Sequence, residues 1–473
     1  MEFPWKIFID FGCIGLALLL ATLIRSKVRF FQRYLIPNAL TAGFILLPFY
    51  NFLAPPLNIT TEGLGGLVYH LLSISFIAMT LRKTEGKGKP KGPGIFGTAV
   101  GIISQYAIQA MVGLLFTLLF MATIMPKLFP AFGMLLPLGF AQGPGQAFAI
   151  GQGWESFGFI GGGSIGLTFA AIGFLWACFG GVFLINYGIR KGWITKEALG
   201  AIKKKDVTSG IHPRGTDLPS GTRLTTESEA IDSLTYHLCF VLFTYFLSYM
   251  LLKGLTFLLS FAGDLGNDLA VNLWGISYIF AALLSLVMKK VISVLKVDHT
   301  LDNGTLTRIS GTAVDLMVAA SIGAISLVVV MEYWLPILVV STVGGILALV
   351  TLPWLCSRMF KDHRLARTLI IYGASTGTMP TGLALLRVID PDFETPVAAD
   401  YMYSTAIIFV IVIPLILSIN LPAYAYKTGN MLYFYLMLGV VAAYMVVVLI
   451  MFVVLARRRA FKQKRRVWLR EEE

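Results

Sequence analysis

Residues 139–153 read GFAQGPGQAFAIGQG; five of them are glycine and one is proline. The stretch lies between two apolar runs, at about 95–121 and 162–187. A Gly-Pro-Gly core cannot continue a membrane helix, because proline lacks an N–H and its ring clashes with the preceding turn. Irregular backbone at membrane depth is tolerated only where it is buried in protein or lines a wet cavity. The stretch therefore predicts a broken helix inside a membrane protein.

The composition indicates an all-α polytopic membrane protein. Of the 473 residues, 56% are hydrophobic and 13% are charged, and the mean hydropathy is +0.77. Apolar runs of about 18 residues or more are transmembrane candidates. Eleven such runs lie at about 7–24, 36–53, 63–81, 95–121, 162–187, 234–260, 269–288, 311–331, 334–354, 399–421 and 431–456.

The net charge of +13 would suggest nucleic-acid binding in a soluble protein. Here most of the 38 Lys and Arg residues fall in alternate loops between the apolar runs. The positive-inside rule then places the N-terminus outside and the C-terminus in the cytoplasm, and no nucleic-acid partner is expected. The basic tail ARRRAFKQKRR, at 456–466, fits an anionic lipid surface, but a simple topology anchor also explains it.

The chain reads as two halves of opposite orientation. A polar segment at about 190–233 separates five apolar runs from six. Each half has four runs, a Gly-rich insert and a fifth run, and one run is left over at the C-terminus. We therefore expect a five-plus-five inverted repeat with an extra C-terminal transmembrane helix. The expected units are 1–187, with an insert near 135–155; the linker 188–233; 234–421, with an insert near 368–388; and 422–473, the extra helix and basic tail.

The two inserts can be aligned, residues 139–147 with residues 373–381. Each has a glycine pair four apart, followed by proline and small polar residues. We expect both to be re-entrant hairpins whose tips meet near mid-membrane. The N–H end of a broken helix favours anions such as a carboxylate. The C=O end suits hard cations such as sodium, which prefer oxygen ligands.

The tips supply the candidate binding residues. The predicted substrate-binding set is Gln142, Gly143, Gly145, Gln146, Ser375, Thr376, Gly377, Thr378 and Thr381. The glutamines could bond an amino or carboxyl group, and Thr378 is also a candidate cation ligand. The alternative is that the hydroxyls bond nearby carbonyls of their own helices.

Four further charged or titratable residues lie in or beside the apolar runs. Asp315 could bind sodium, carry a proton or counter an ammonium group, because burying a charge in a membrane is costly; it could equally pair with Arg308. A lone histidine in an apolar run, such as His70, more often has a structural role than a functional one. Arg387 could bind a carboxylate or pair with nearby acids. Asp10 is expected to be solvated at the outer end of the first run.

The chain resembles the bacterial sodium/glutamate symporters. The resemblance is carried by RYLIPNALTAG (33–43), GFAQGPGQA (139–147), TFAAIGFLWACFGG (168–181), ISGTAVDLMVAASIGAISL (309–327) and GASTGTMPTG (373–382). It implies an inverted repeat, two re-entrant hairpins, a homodimer in the bacterial inner membrane, and sodium-driven glutamate uptake by an elevator-like movement. The family's first-hairpin motif looks like Gly-Gly-His-Gly-Thr-Gly, and the histidine is absent from the matching residues 141–146.

Three other functions differ in the sequence features that they require. A transporter of another organic anion, such as a hydroxycarboxylate or dicarboxylate, fits the same architecture. A channel would need a continuous polar pore, which two interrupted hairpins do not provide. A membrane enzyme is not expected, since we identify no P-loop, no His-rich metal motif and no G-x-S-x-G elbow. Sodium is the expected coupling ion, and no cofactor or metal centre is expected.

Overall fold

A computed structural model describes residues 5–34, 36–83, 93–193, 211, 221–261, 263, 266, 270, 273–390 and 395–469. These residues form helices, turns and loops, and no strand occurs among them. The first half contains α1 (Lys6–Lys27), α2 (Asn38–Pro48), α3 (Glu62–Leu81), α4 (Pro93–Ala122), α5 (Phe132–Gln142), α6 (Pro144–Gly153) and α7 (Gly162–Arg190). The second half contains α8 (Ser233–Ser260), α9 (Ser277–Val294), α10 (Asn303–Gly323), α11 (Trp334–Met359), α12 (Arg364–Thr376), α13 (Met379–Ile389), α14 (Val397–Ser418), α15 (Leu421–Thr428) and α16 (Leu432–Ala456).

Nine helices in the described part of the chain are long and apolar enough to cross a membrane. The protein is therefore a multi-pass, all-helical membrane protein, as the composition predicts. Two of the eleven predicted runs are not among the nine. The run at 36–53 forms an apolar helix of only 16 residues, Asn38–Leu53, whose last part is a π-helical turn.

The run predicted at 311–331 is wrong in its bounds. The helix α10 begins at Asn303, because the carboxylate of Asp302 accepts the N–H of Thr305 at 2.8 Å and caps the helix. It ends at Gly323, and a separate short helix follows at Leu327–Glu332. The sequence analysis missed this start because the first two turns are polar. The apolar run predicted at 269–288 corresponds to α9, which covers Ser277–Val294.

One group of helices contains α1, α2, α3, α8, α9 and α10. The helices α3 and α10 run antiparallel, since Ser75 lies 3.1 Å from Ser310 while Gly323 lies beside Leu64. Lys289 of α9 donates to the carbonyl of Arg82, just beyond α3, at 2.5 Å. Small residues allow close approach in this group, since a Cβ built on Gly43 of α2 would lie 2.7 Å from Cβ of Ile322 of α10.

A second group contains α4, the two inserts, α7, α11, α14 and α16. Its helices approach one another at glycine. A Cβ built on Gly113 of α4 would lie 2.0 Å from the carbonyl oxygen of Gly133 of α5. A Cβ on Gly345 of α11 would lie 2.2 Å from the ring of Trp176 of α7. These glycines are needed for packing, and both inserts lie inside this group.

Most of the predicted linker at 188–233 lies outside the described residues. The helix α7 continues to Arg190, three residues beyond the expected boundary. The described end of the linker packs on α10, where the N–H of Arg223 donates to the carboxylate of Asp302 at 3.2 Å.

Candidate binding site at two helix breaks

The first break is at Gly143, between α5 and α6. Gly143 has φ +91° and ψ 179°, a backbone conformation open only to glycine, and Pro144 begins the next helix. The chain then turns back on itself. At the far ends of the two arms, the ring of Phe129 lies 5.7 Å from that of Trp154 and stacks at 4.4 Å on that of Phe159. The helices α5 and α6 therefore form a hairpin with Gly143 at its tip, which we call hairpin 1.

The second break is at Gly377 and Thr378, between α12 and α13. Neither residue is helical: Gly377 has φ −140° and ψ −107°, and Thr378 is extended, with φ −145° and ψ 172°. The two arms pack closely, since a Cβ built on Gly373 would lie 2.7 Å from Cα of Gly382. The helices α12 and α13 therefore form a second hairpin, hairpin 2.

The two tips meet. A Cβ built on Gly143 would lie 2.9 Å from Cγ2 of Thr378 and 3.9 Å from the carbonyl oxygen of Gly377. The helices α6 and α13 both begin at this point, and neither has a side-chain cap. The first N–H groups of a helix have no acceptor within it, so two positive helix ends lie close together here. The arrangement suits an anionic group.

Three buried side-chain oxygens at the tips have no hydrogen-bond partner among the described residues. They are Oε1 of Gln142, Oε1 of Gln146 and Oγ of Ser375. Gln146 is 5% exposed and Ser375 is fully buried. Leaving a buried polar group without a partner costs about 1–3 kcal/mol, so three at one place indicate acceptors that a ligand could satisfy.

The helix α4 contributes two amides that the sequence analysis missed. Gln109 donates from Nε2 to the carbonyl of Ser375 at 2.9 Å, and Gln105 donates to Oγ1 of Thr351 at 2.8 Å. Their Oε1 atoms are buried and have no partner in the described part of the chain. The signal was available, because Gln105 and Gln109 lie four residues apart on one face of an otherwise apolar helix.

The hydroxyls divide into two kinds. Thr376 donates to the carbonyl of Tyr372 at 2.7 Å, so it is satisfied within its own helix, as the alternative interpretation predicts. Thr378 and Thr381 lie 3.3 Å apart, oxygen to oxygen, and bond each other across the first turn of α13. Of the four predicted hydroxyls, only Ser375 is buried without a partner among the described residues.

The glycines at hairpin 1 also have packing roles. A Cβ on Gly145 would lie 2.8 Å from Leu72 of α3, and one on Gly139 would lie 2.7 Å from the backbone nitrogen of Ala170. Gly145 therefore brings hairpin 1 against the first group of helices.

Three candidates outside the two tips remain. Asp315 is exposed on α10. Nδ1 of His70 lies 2.6 Å from the hydroxyl of Tyr245. Arg387 is exposed on α13.

Asp10 is not solvated, contrary to the sequence-based expectation. It is 1% exposed, and its Oδ1 accepts the hydroxyl proton of Tyr50 at 2.6 Å. Its other carboxylate oxygen, Oδ2, packs against Gly63, at the start of α3. The helix α3 covers the carboxylate, which the sequence of α1 alone could not reveal.

A buried ion pair lies at the base of hairpin 2. Arg367 of α12 is 2% exposed and donates to Asp400 of α14 at 2.7 Å and to Asp362 at 3.0 Å. Its guanidinium also lies 4.9 Å from the ring centroid of Phe360. Sequence analysis counted Arg367 only as a basic loop residue.

The sequence analysis was wrong that no G-x-S-x-G pattern occurs, because Gly162-Gly163-Ser164-Ile165-Gly166 matches the spacing of this hydrolase nucleophile motif. That motif requires a turn from a strand into a helix. Here Ser164 lies in the first turn of α7, no strand occurs among the described residues, and the serine oxygen accepts the N–H of Ser326 at 2.7 Å. The serine therefore has a structural partner.

No group of three or more His, Cys, Asp or Glu side chains that could hold a metal occurs in the described ranges. Compared with known proteins, the chain matches no family model, no curated protein and no solved structure.

Proposed function

We propose that the protein is a secondary active transporter that imports glutamate, driven by the sodium gradient. The single observation that supports this most strongly is the meeting of two uncapped helix breaks at Gly143 and Thr378. Broken helices at corresponding positions of two halves are the best sequence pointer to a transporter site. Each break also has a buried side-chain oxygen beside it without a partner in the described structure.

The chemistry of the tips fits a small anionic solute that also carries an ammonium group. In the first turn of α6 the N–H groups of Gly145 and Gln146 have no acceptor within the helix, and in that of α13 those of Met379 and Thr381 have none; all four can donate to a carboxylate. The Oε1 atoms of Gln142 and Gln146 and the hydroxyl of Ser375 can accept from an ammonium group. An acidic amino acid has both groups. In this proposal, recognition rests on helix ends and neutral acceptors.

Sodium would bind at the opposite ends of the same breaks. The helices α5 and α12 end at Gln142 and Thr376, where the last carbonyls have no helical partner. Carbonyl and hydroxyl oxygens are the ligands that hard cations prefer. We propose Thr378 and Asp315 as candidate ligands. Sodium and solute together would stabilise a state that neither stabilises alone.

The proposed architecture is a five-plus-five inverted repeat. In it α1, α2, α3, α4, hairpin 1 and α7 correspond to α8, α9, α10, α11, hairpin 2 and α14, and α16 is the extra helix. Both hairpins are re-entrant from opposite faces. The N-terminus lies outside and the C-terminus in the cytoplasm of a bacterial inner membrane, and the protein is a homodimer. The group of helices that holds the hairpins would move against the other group, as in an elevator.

A transporter of a hydroxycarboxylate or dicarboxylate is the second candidate. The absence of the family's histidine from residues 141–146 favours it. Such a solute needs no ammonium acceptor, so it would leave Gln142 and Gln146 unsatisfied. We place an ion channel below both candidates, and we propose no enzymatic activity.

The test is uptake of labelled L-glutamate into proteoliposomes that contain the purified protein, under an inward sodium gradient. Potassium or choline replaces sodium in the controls. Accumulation above equilibrium only with sodium supports the proposal. No accumulation by folded protein rejects glutamate or sodium coupling, and competition by unlabelled organic anions under sodium and proton gradients then identifies the solute. Flux far above transporter rates would indicate a channel.

A further inference from the structure

The C-terminal residues 457–469, which we call the strap, are folded against the protein. Arg358, at the end of α11, is fully buried and holds the strap by its backbone. Its Nη2 donates to the carbonyls of Lys462 at 3.2 Å, Gln463 at 2.9 Å and Arg466 at 2.9 Å. One buried guanidinium that binds three carbonyls fixes a segment that the sequence predicts only as a loose basic tail.

Contacts at both ends of the strap complete the attachment. Arg364, the first residue of hairpin 2, donates to the carbonyl of Leu469 at 2.8 Å, and Leu469 is fully buried. The ring of Trp468 stacks on that of Trp193, just beyond α7, at 4.2 Å. The strap therefore joins the end of α11, the base of hairpin 2 and the end of α7.

The attachment uses the strap's backbone, its apolar side chains and Arg459, whose Nη1 donates to the carbonyl of Phe360 at 3.2 Å, and it leaves the other basic side chains exposed. Every charged residue between 457 and 469 is Lys or Arg. The exposed ones are Arg457, Arg458, Lys462, Lys464, Arg465 and Arg466. The strap follows α16 directly, and α16 is long and apolar enough to cross a membrane, so we expect these side chains at the membrane surface where the last helix ends.

We propose that the strap is a built binding surface for anionic phospholipid headgroups. Clusters of Lys and Arg beside a transmembrane helix attract anionic lipids, and the attraction falls off within a Debye length. Here buried arginines hold the backbone that carries the cluster, so the basic residues are already close together before a lipid binds. A bound headgroup is connected through Arg358 and Arg364 to the base of hairpin 2. The proposal does not depend on which solute the protein transports.

The test uses the full-length protein in nanodiscs of phosphatidylcholine alone or with a third of phosphatidylglycerol. The measurement is the shift in the thermal unfolding midpoint between the two lipids. The test variant is Lys462→Gln/Lys464→Gln/Arg465→Gln, which keeps the carbonyls that Arg358 binds. The matched control is Lys27→Gln/Arg29→Gln/Arg33→Gln, which removes the same charge from exposed residues at the end of α1 and in the short helix Arg29–Arg33, far from the strap in the sequence.

We expect phosphatidylglycerol to raise the midpoint of the wild type and the control by several degrees. The test variant should lose at least half of that shift, and high salt should remove it from all three. An equal shift in the test variant and the wild type would overturn the proposal. So would an equal shift produced by millimolar inorganic phosphate in phosphatidylcholine nanodiscs, because the site would then bind free phosphate rather than a membrane.

Discussion

Gly143 and Thr378 contact each other, although they belong to different halves of the chain. A Cβ built on Gly143 would lie 2.9 Å from Cγ2 of Thr378. The contact brings together two helix N-termini and the buried oxygens of Gln142, Gln146 and Ser375. The proposed site therefore depends on both hairpins at once, and changes on either side should impair it.

Gly143→Ala should abolish most uptake. The backbone conformation at φ +91° strains any residue with a Cβ by about 1–3 kcal/mol, and the added methyl group also presses on Thr378. We expect at least a tenfold loss of uptake rate with insertion retained. Gly12→Ala is the control, since its Cβ would meet nothing within 4 Å. Adding Thr378→Ser should recover only the steric part of the loss; full activity in Gly143→Ala would contradict the proposed tip.

Gln109→Leu should weaken the affinity of the protein for its solute. The change removes the donor to the carbonyl of Ser375, leaving that carbonyl unpaired at the hairpin tip. An unpaired buried carbonyl costs about 1–3 kcal/mol, and a loss of this size in the free energy of binding would weaken substrate affinity at least fivefold. Gln105→Leu is the matched control, because its amide bonds Thr351 rather than a hairpin. Uptake kinetics over a range of solute concentrations are the measurement. Equal losses in the two variants would mean that Gln109 has only a packing role.

Arg367→Met should be strongly destabilising, because it leaves the carboxylate of Asp400 buried without its partner. Breaking a buried ion pair in this way typically costs about 3–5 kcal/mol. Asp362→Asn should cost less than about 1 kcal/mol, since the Asp362 side chain is 54% exposed. The double variant Arg367→Met/Asp400→Leu should regain much of the loss. Thermal unfolding in detergent measures all three. A double variant no more stable than Arg367→Met would refute this account.

Asp302 should make stability depend on acid pH. Burial alone raises the pKa of its carboxyl group, but hydrogen bonds from Thr305, Arg223 and Gly304 outweigh this and hold the pKa below its ordinary value. A depressed pKa contributes stability that is fully present above the unfolded value, about 3.9, and is lost as the pH falls through the lower folded value.

Asp302→Asn keeps a capping side chain but cannot titrate. We expect its unfolding midpoint to fall less than that of the wild type between pH 5 and pH 3. Asp298→Asn is the control, because the Asp298 side chain is 57% exposed and lies 3.7 Å from Lys83. Identical acid profiles for Asp302→Asn and the wild type would rule out this contribution.

Sequence reasoning located both helix breaks, because glycine and proline act on the backbone where they stand. It placed Gly143 and Gly377 at turns and identified Gln142, Gln146 and Ser375 as polar residues there. It missed Gln109, which reaches the site from a helix that is regular and apolar around it. It misplaced the start of α10, because the cap at Asp302 precedes a polar first turn. It also expected Asp10 in solvent, while α3 covers it.

The sequence by itself determined that the chain is a multi-pass, all-helical membrane protein, because hydrophobic runs and backbone breakers are local properties. Only the tertiary structure decided which residues share a site. The contact between Gly143 and Thr378, the bond from Gln109 to Ser375, the pair of Arg367 and Asp400, and the hold of Arg358 on the strap all join distant segments. Such contacts depend on how the helices pack, and packing depends on shapes and facing glycines that no single segment specifies.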